Sequence, residues 1–133
     1  ALADNTEGRV YAIDPWNGDY PNNNGSINEI RTDVFQYFKA NLIDKINSGT
    51  VIPVNEFSYN FHTSDSVDFV FIDGDHRYEE VKKDIEVALK LLRPGGIIAG
   101  HDYSQPIWYG VKQAVDEIFP EIQLVESIWY KQV

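Results

Sequence analysis

The stretch "VDFVFIDGDHRY", Val67 to Tyr78, decides how the rest of the chain is read. Its first half climbs through β-branched and aromatic residues to Ile72. Asp73-Gly74-Asp75-His76 then crowds two carboxylates and an imidazole into four positions. A run that is apolar at successive positions fits a strand covered on both faces, the habit of parallel sheets. A polar break at the end of such a strand fits a ligand-binding rim. A plain Asp-Gly-Asp turn with a helix cap fits the same residues, so this stretch alone leaves both readings open.

The residues on either side extend the pattern. From Tyr78 to Leu92, Val81, Ile85, Ala88, Leu89 and Leu92 recur at helical spacing, with Glu79, Glu80, Lys82, Lys83 and Glu86 on the opposite face. Arg93-Pro94-Gly95-Gly96 ends that helix, and "GIIAG", 96 to 100, is a second wholly apolar strand. Gly110 to Phe119 is helical, with Val111, Ala114, Val115 and Ile118 inward. "IQLVES" and "IWYKQV" then read as a closing hairpin. Upstream, "VYAID", 10 to 14, is a short strand ended by Asp14-Pro15, and "NGDYPNNNGSIN", 17 to 28, is a long loop. Thr32 or Asp33 caps a helix from Val34 to Ile46, and "TVIPV", 50 to 54, is a strand that Pro53 confines to an edge.

Strands alternating with helices predict one α/β domain over residues 1–133, with a mostly parallel sheet and an antiparallel pair at its C-terminal edge. Three strands end in acid, at Asp14, at Asp73 and at His101-Asp102. Parallel strands put such ends on one rim, where Asp14, Asp73, Asp75, His76, His101 and Asp102 converge. Three coincident acidic ends with two histidines favour a functional rim over three unrelated turns.

Composition narrows the function. The chain has 133 residues, 43% hydrophobic and 24% charged, with a net charge of −10. That balance argues against a nucleic-acid backbone as partner. No apolar run is long enough to span a membrane and no basic-plus-apolar leader opens the chain, so a cytoplasmic setting is expected. There is no cysteine, hence no disulfide framework and no thiolate chemistry.

"VYAIDPW", "DFVFIDGDHRYEEVKKDIEVALKLLRPGGIIAGHDY" and "GVKQAVDEIF" together resemble the class I S-adenosylmethionine-dependent methyltransferases. The likeness is to the branch of small-molecule O-methyltransferases and cephalosporin-hydroxylase-like proteins. It implies a Rossmann-like, doubly wound sheet and methyl transfer to an oxygen of a small molecule. It assigns Asp14 to the ribose hydroxyls of the cofactor, with Pro15 and Trp16 as a wall beside it. Asn55, Glu56 and Phe57 fall where relatives contact adenine, and Asp73 near the methyl donor. Metal-dependent relatives hold Mg²⁺ at positions that correspond here to Asp73, His101 and Asp102. His101 departs from the acid usual there, which leaves Asp73 and Asp102 as the metal ligands. Asp75, His76 and His101 are the catalytic candidates, with Asp75 and His76 as bases.

The resemblance also predicts an absence. Relatives begin with a central strand and a glycine-rich turn, and no such loop precedes Val10. The expectation is a sheet missing the strand between those of Asp14 and Asp73, weak cofactor binding by this chain alone, and self-association through open strand edges. The alternative function is a truncated or degenerate domain without catalysis, serving as an oligomeric binding or structural module.

Overall fold

The computed structural model describes residues 8–16 and 32–133, which fall into two compact units, 1–61 and 62–133. The expected loop at 17–28 and the capping side chains of Thr32 and Asp33 lie outside the described part.

The first unit contains β1 (Val10–Ile13), α1 (Thr32–Asn41), α2 (Ile43–Asn47) and β2 (Val51–Val54). β1 and β2 run parallel, with Val10 opposite Val51 and Ile13 opposite Val54. Among the described residues β2 pairs with β1 alone, so Pro53, which has no N–H to donate, sits on an edge strand as expected. The single helix expected from Val34 to Ile46 is instead two, broken at Leu42, whose φ of −116° and ψ of 18° leave the helical region. Asn41, a residue type that favours helix ends over helix interiors, immediately precedes the break. Phe35, Phe38, Leu42 and Ile46 are half-buried, whereas Val34, expected inward, is exposed.

The second unit contains β3 (Val67–Ile72), α3 (Tyr78–Leu91), β4 (Leu92–Gly100), α4 (Tyr109–Ile118), β5 (Gln123–Val125) and β6 (Ile128–Gln132). Its sheet has the order β3-β4-β6-β5, with β3 and β4 parallel and β6 antiparallel to both β4 and β5. The closing hairpin is therefore present and forms the antiparallel edge. β4 begins at Leu92, earlier than the expected Gly96, through an irregular register in which Val67 faces Leu92 but Phe69 faces Ile97.

α3 and α4 cover one face of this sheet. Ile85, Ala114, Val115 and Ile98 are wholly excluded from water and Trp129 nearly so. Val70 and Ile72 of β3 pack against that cluster. Leu89, expected inward, is exposed, because it lies about 100° around the helix from Ala88, past the edge of the buried stripe. The expectation that β3 is buried on both sides also needs correction. Side chains alternate across a strand, and Phe69 and Phe71, on the face opposite Val70 and Ile72, each remain 39% exposed. Ile97, the partner of Phe69, is similarly open.

Among the described residues β1 pairs only with β2, and β3 only with β4. At the other end of β4, Gly100 lets Trp129 lie against bare backbone: a Cβ there would come within 2.7 Å of the indole Nε1 and 2.8 Å of the Ile72 carbonyl oxygen. That contact fixes the strand end from which the candidate site grows.

Candidate active site

The site lies beyond the C-terminal ends of β3 and β4. The His101 N–H still donates to the Ile72 carbonyl at 3.1 Å, so the ladder continues one residue past β4. Asp102 then turns the chain with φ of 62°, a left-handed conformation that Asp tolerates better than most residues. The Gln105 N–H bonds back to the Asp102 carbonyl at 3.2 Å, and Tyr103 N–H reaches Ser127 across the β5–β6 turn at 3.1 Å. A 3₁₀ turn, Pro106–Trp108, leads into α4.

This turn aims Asp102 at the segment between β3 and α3. His76 Nε2 lies 2.6 Å from Asp102 Oδ2 and 3.9 Å from Asp73 Oδ1. On its other side Asp102 Oδ1 is 3.3 Å from His101 Nδ1, and His101 Nε2 is 2.8 Å from the Ser127 hydroxyl. Asp102 thus sits between two imidazoles, with its side chain 14% exposed, while Asp73 at the mouth is 52% exposed. A small surface cleft is lined by the polar Asp73, Asp75, His76 and His101 and by the apolar Ile72, Val81, Val111 and Trp129.

Asp75 faces the cleft differently. Its Oδ1 accepts the Arg77 backbone N–H at 2.9 Å, and both oxygens accept from the Arg77 guanidinium at 2.9 and 3.0 Å. Burial pushes the Asp75 carboxyl pKa up, but the hydrogen bonds and charge of Arg77 outweigh it and hold the group below the usual carboxylate range. A carboxylate so held is a weak base, and its bonds serve to set the turn into α3.

The structure therefore brings Asp73, His76, His101 and Asp102 together, with Asp75 at the same cleft. Asp14, Pro15, Trp16, Asn55, Glu56 and Phe57 belong to the first unit and are described within it. Asp14 ends β1, and its Oδ1 accepts the Trp16 N–H at 2.6 Å, which orients the carboxylate. Trp16 packs its ring on Phe35 and Phe38 of α1, at centroid distances of 4.4 and 5.1 Å. Asn55, Glu56 and Phe57 are exposed after β2, with Phe57 stacked on Tyr59.

Three further residues went unnoticed in the sequence. Trp108 stacks on the His76 ring at 4.5 Å. Gly110 lets the start of α4 approach so closely that a Cβ would fall 2.6 Å from both His76 O and Tyr78 N. Ser127 holds His101 from a turn 26 residues away. Only "PIWYG", an exposed aromatic pair before a helix glycine, carried any local signal of the first two.

A family model described as a methyltransferase domain matches residues 1–103. The uncharacterized protein R132 of Acanthamoeba polyphaga mimivirus is 38% identical over 66 residues, covering 49% of this chain and 30% of that protein. The structure of CalS11, a TDP-rhamnose 3′-O-methyltransferase of calicheamicin biosynthesis, superposes with a TM-score of 0.66 at 16% identity, covering 93% of this chain and 58% of that one. An O-methyltransferase from Bacillus cereus in complex with SAH gives 0.59 at 18% identity, covering 96% and 64%. The chain spans less than two thirds of each of these proteins. At such identities the structural likeness carries the fold.

Proposed function

The chain belongs to the methyltransferase domain family, and on that premise we propose that it transfers a methyl group from S-adenosylmethionine to an oxygen of a small molecule. The observation that carries this reading is the His76–Asp102 pair, 2.6 Å apart beside Asp73 at the ends of two parallel strands. Deprotonation of an acceptor hydroxyl needs a base at such a rim, and histidine's ordinary pKa lies near working pH. With Nε2–H donated to Asp102, the ring is held as the tautomer whose Nδ1 is basic, and Asp102 stabilises the imidazolium that forms. His101, tied to Ser127, braces Asp102 from its other side. Asp14 is assigned to the ribose, with Pro15 and Trp16 beside it, and Asn55, Glu56 and Phe57 to the adenine. An oriented carboxylate accepts two hydroxyl hydrogen bonds, which suits that assignment. When bound, the cofactor supplies an electrophilic methyl on a sulfonium whose leaving thioether is neutral, so no acid is asked of the protein.

Mg²⁺ is a second reading, favoured by one observation. Asp73, His76 and Asp102 each offer a donor atom, all within 4.8 Å of one another. Carboxylate oxygens suit Mg²⁺ and imidazole suits it poorly, so the ion would rest on Asp73 and Asp102. Asp102 Oδ2 is already engaged by His76, so ion and His76 compete for that oxygen. Bound there, Mg²⁺ would lower the pKa of an acceptor hydroxyl. Treatment with EDTA distinguishes the two: activity should persist if His76 is the base and vanish if the pair of carboxylates must hold a metal.

In this reading the acceptor is a small molecule, and the net charge of −10 opposes a polyanionic one. No described helix is long and apolar enough to cross a membrane, and a cytoplasmic setting fits. Among the described residues β3 pairs with β4 alone, and ladder groups buried without partners cost about 1–3 kcal/mol each, which favours a homo-oligomer built on that edge. Sedimentation should show self-association of the isolated chain, and a monomer at high concentration would remove that inference. The same edge supports the alternative of a non-catalytic oligomeric module. Titration calorimetry with S-adenosylmethionine separates the two: the chain alone should bind weakly, and a longer protein containing it should bind firmly. Absence of binding in both would favour the module.

A further inference from the structure

We propose that Trp108 is the positioning residue of the site, holding the His76 imidazole in the plane from which it faces both Asp102 and the acceptor. The inference rests on the reading of His76 as base. With the ring tethered at Cβ–Cγ, a hydrogen bond from Nε2 to Asp102 still leaves it free to tilt about the line joining those two anchors. A second restraint on its face removes the freedom. Trp108 supplies it, with centroids 4.5 Å apart and planes inclined by 27°.

Both restraints come from one short segment. Asp102 opens the turn, the Gln105 N–H returns to it, and the Trp108 N–H bonds to the Gln105 carbonyl at 2.9 Å. α4 follows at once, and its close approach at Gly110 locks the segment against the backbone of His76 to Tyr78. The edge and the face of His76 are thus gripped by residues six positions apart on a pinned turn.

Core packing does not account for this tryptophan. Trp108 is 41% exposed and lies outside the buried cluster, unlike Trp129. Its neighbours Ile107 and Tyr109 are more exposed still, at 76% and 65%. A side chain so placed adds little to the core, yet it covers the ring that the chemistry uses.

The test pairs structure with kinetics in the full protein. In proton NMR the His76 ring protons should lie upfield of free histidine, under the ring current of the indole. Trp108→Ala should return them to the free position while the melting temperature holds. It should lower kcat roughly 10²-fold, the scale of loss from misplacing a reacting group by about 1 Å, with little change in KM. Trp108→Phe should restore most of both signals. If Trp108→Ala does not fold, Trp108→Leu keeps the bulk without the ring current and should show the same loss. Unmoved His76 resonances in Trp108→Ala or Trp108→Leu, or an unchanged kcat beside moved resonances, would overturn the proposal. If the native protein transfers no methyl group at all, the reading of the site fails, and the resonances alone decide whether Trp108 holds His76.

Discussion

Replacing Asp102 is expected to lower methyl transfer by about 10²–10⁴-fold, the usual worth of a positioned acid–base group. Asp102 is the one carboxylate of the rim that meets both histidines, at 2.6 Å on one oxygen and 3.3 Å on the other. Its removal strips His76 of the partner that sets its tautomer and stabilises its charged form. It also removes an oxygen from any metal at this rim, so the loss is expected with or without Mg²⁺. The choice of variant matters, because the residue at 102 holds φ of 62°. Asn tolerates that conformation and Ala does not, so Asp102→Asn isolates the charge from the backbone. His76→Ala should cost a similar factor in kcat. The double variant should fall little further, since groups acting as a unit are not additive. Steady-state kinetics at saturating cofactor measure all three. Independent losses that multiply would show that the two residues do not work as a pair.

Gly110→Ala is expected to be the most damaging small change to the fold around the site. The added Cβ would lie 2.6 Å from His76 O and from Tyr78 N, and 3.2 Å from the Arg77 carbonyl carbon. All three are backbone atoms of the segment entering α3, which cannot swing aside as a side-chain tip would. The first turn of α4 must therefore lift, carrying Trp108 away from His76. Overpacking of this kind costs about 1–3 kcal/mol and occasionally more. Thermal denaturation should show a lowered midpoint, and activity should fall with it. A midpoint equal to the native one would mean that the approach of α4 is looser than the structure describes.

Much of this was legible in the residues. The alternation of strands and helices, the buried stripe of Val81, Ile85 and Ala88, and the closing hairpin follow from local period and punctuation, which are short-range properties. The crowding of Asp73, His76, His101 and Asp102 was legible too, because parallel strands bring their ends to one rim. What the residues concealed was long-range. An apolar run such as Phe69–Val70–Phe71 states that a strand is compatible with two covered faces, not that both are covered, and one is open here. A shorter-range contact was hidden as well: Arg77, two residues on, engages both oxygens of Asp75. Trp108 and Ser127 become partners of the two histidines only through the turn after β4 and the β5–β6 hairpin, and no spacing in the chain announces either contact. The break at Leu42 is a smaller case, where an unbroken apolar period hid a local irregularity.

The measurement closest to the central claim follows a ¹³C-labelled methyl group. S-adenosylmethionine carrying the label is incubated with the full protein and a set of small hydroxylated acceptors, and carbon NMR reads where the label lands. The account predicts a methyl signal on oxygen that is lost in Asp102→Asn and His76→Ala proteins that still fold and still bind the cofactor. Label transfer that proceeds undiminished in both variants would contradict it, and would make the rim of Asp73, His76 and Asp102 a piece of architecture.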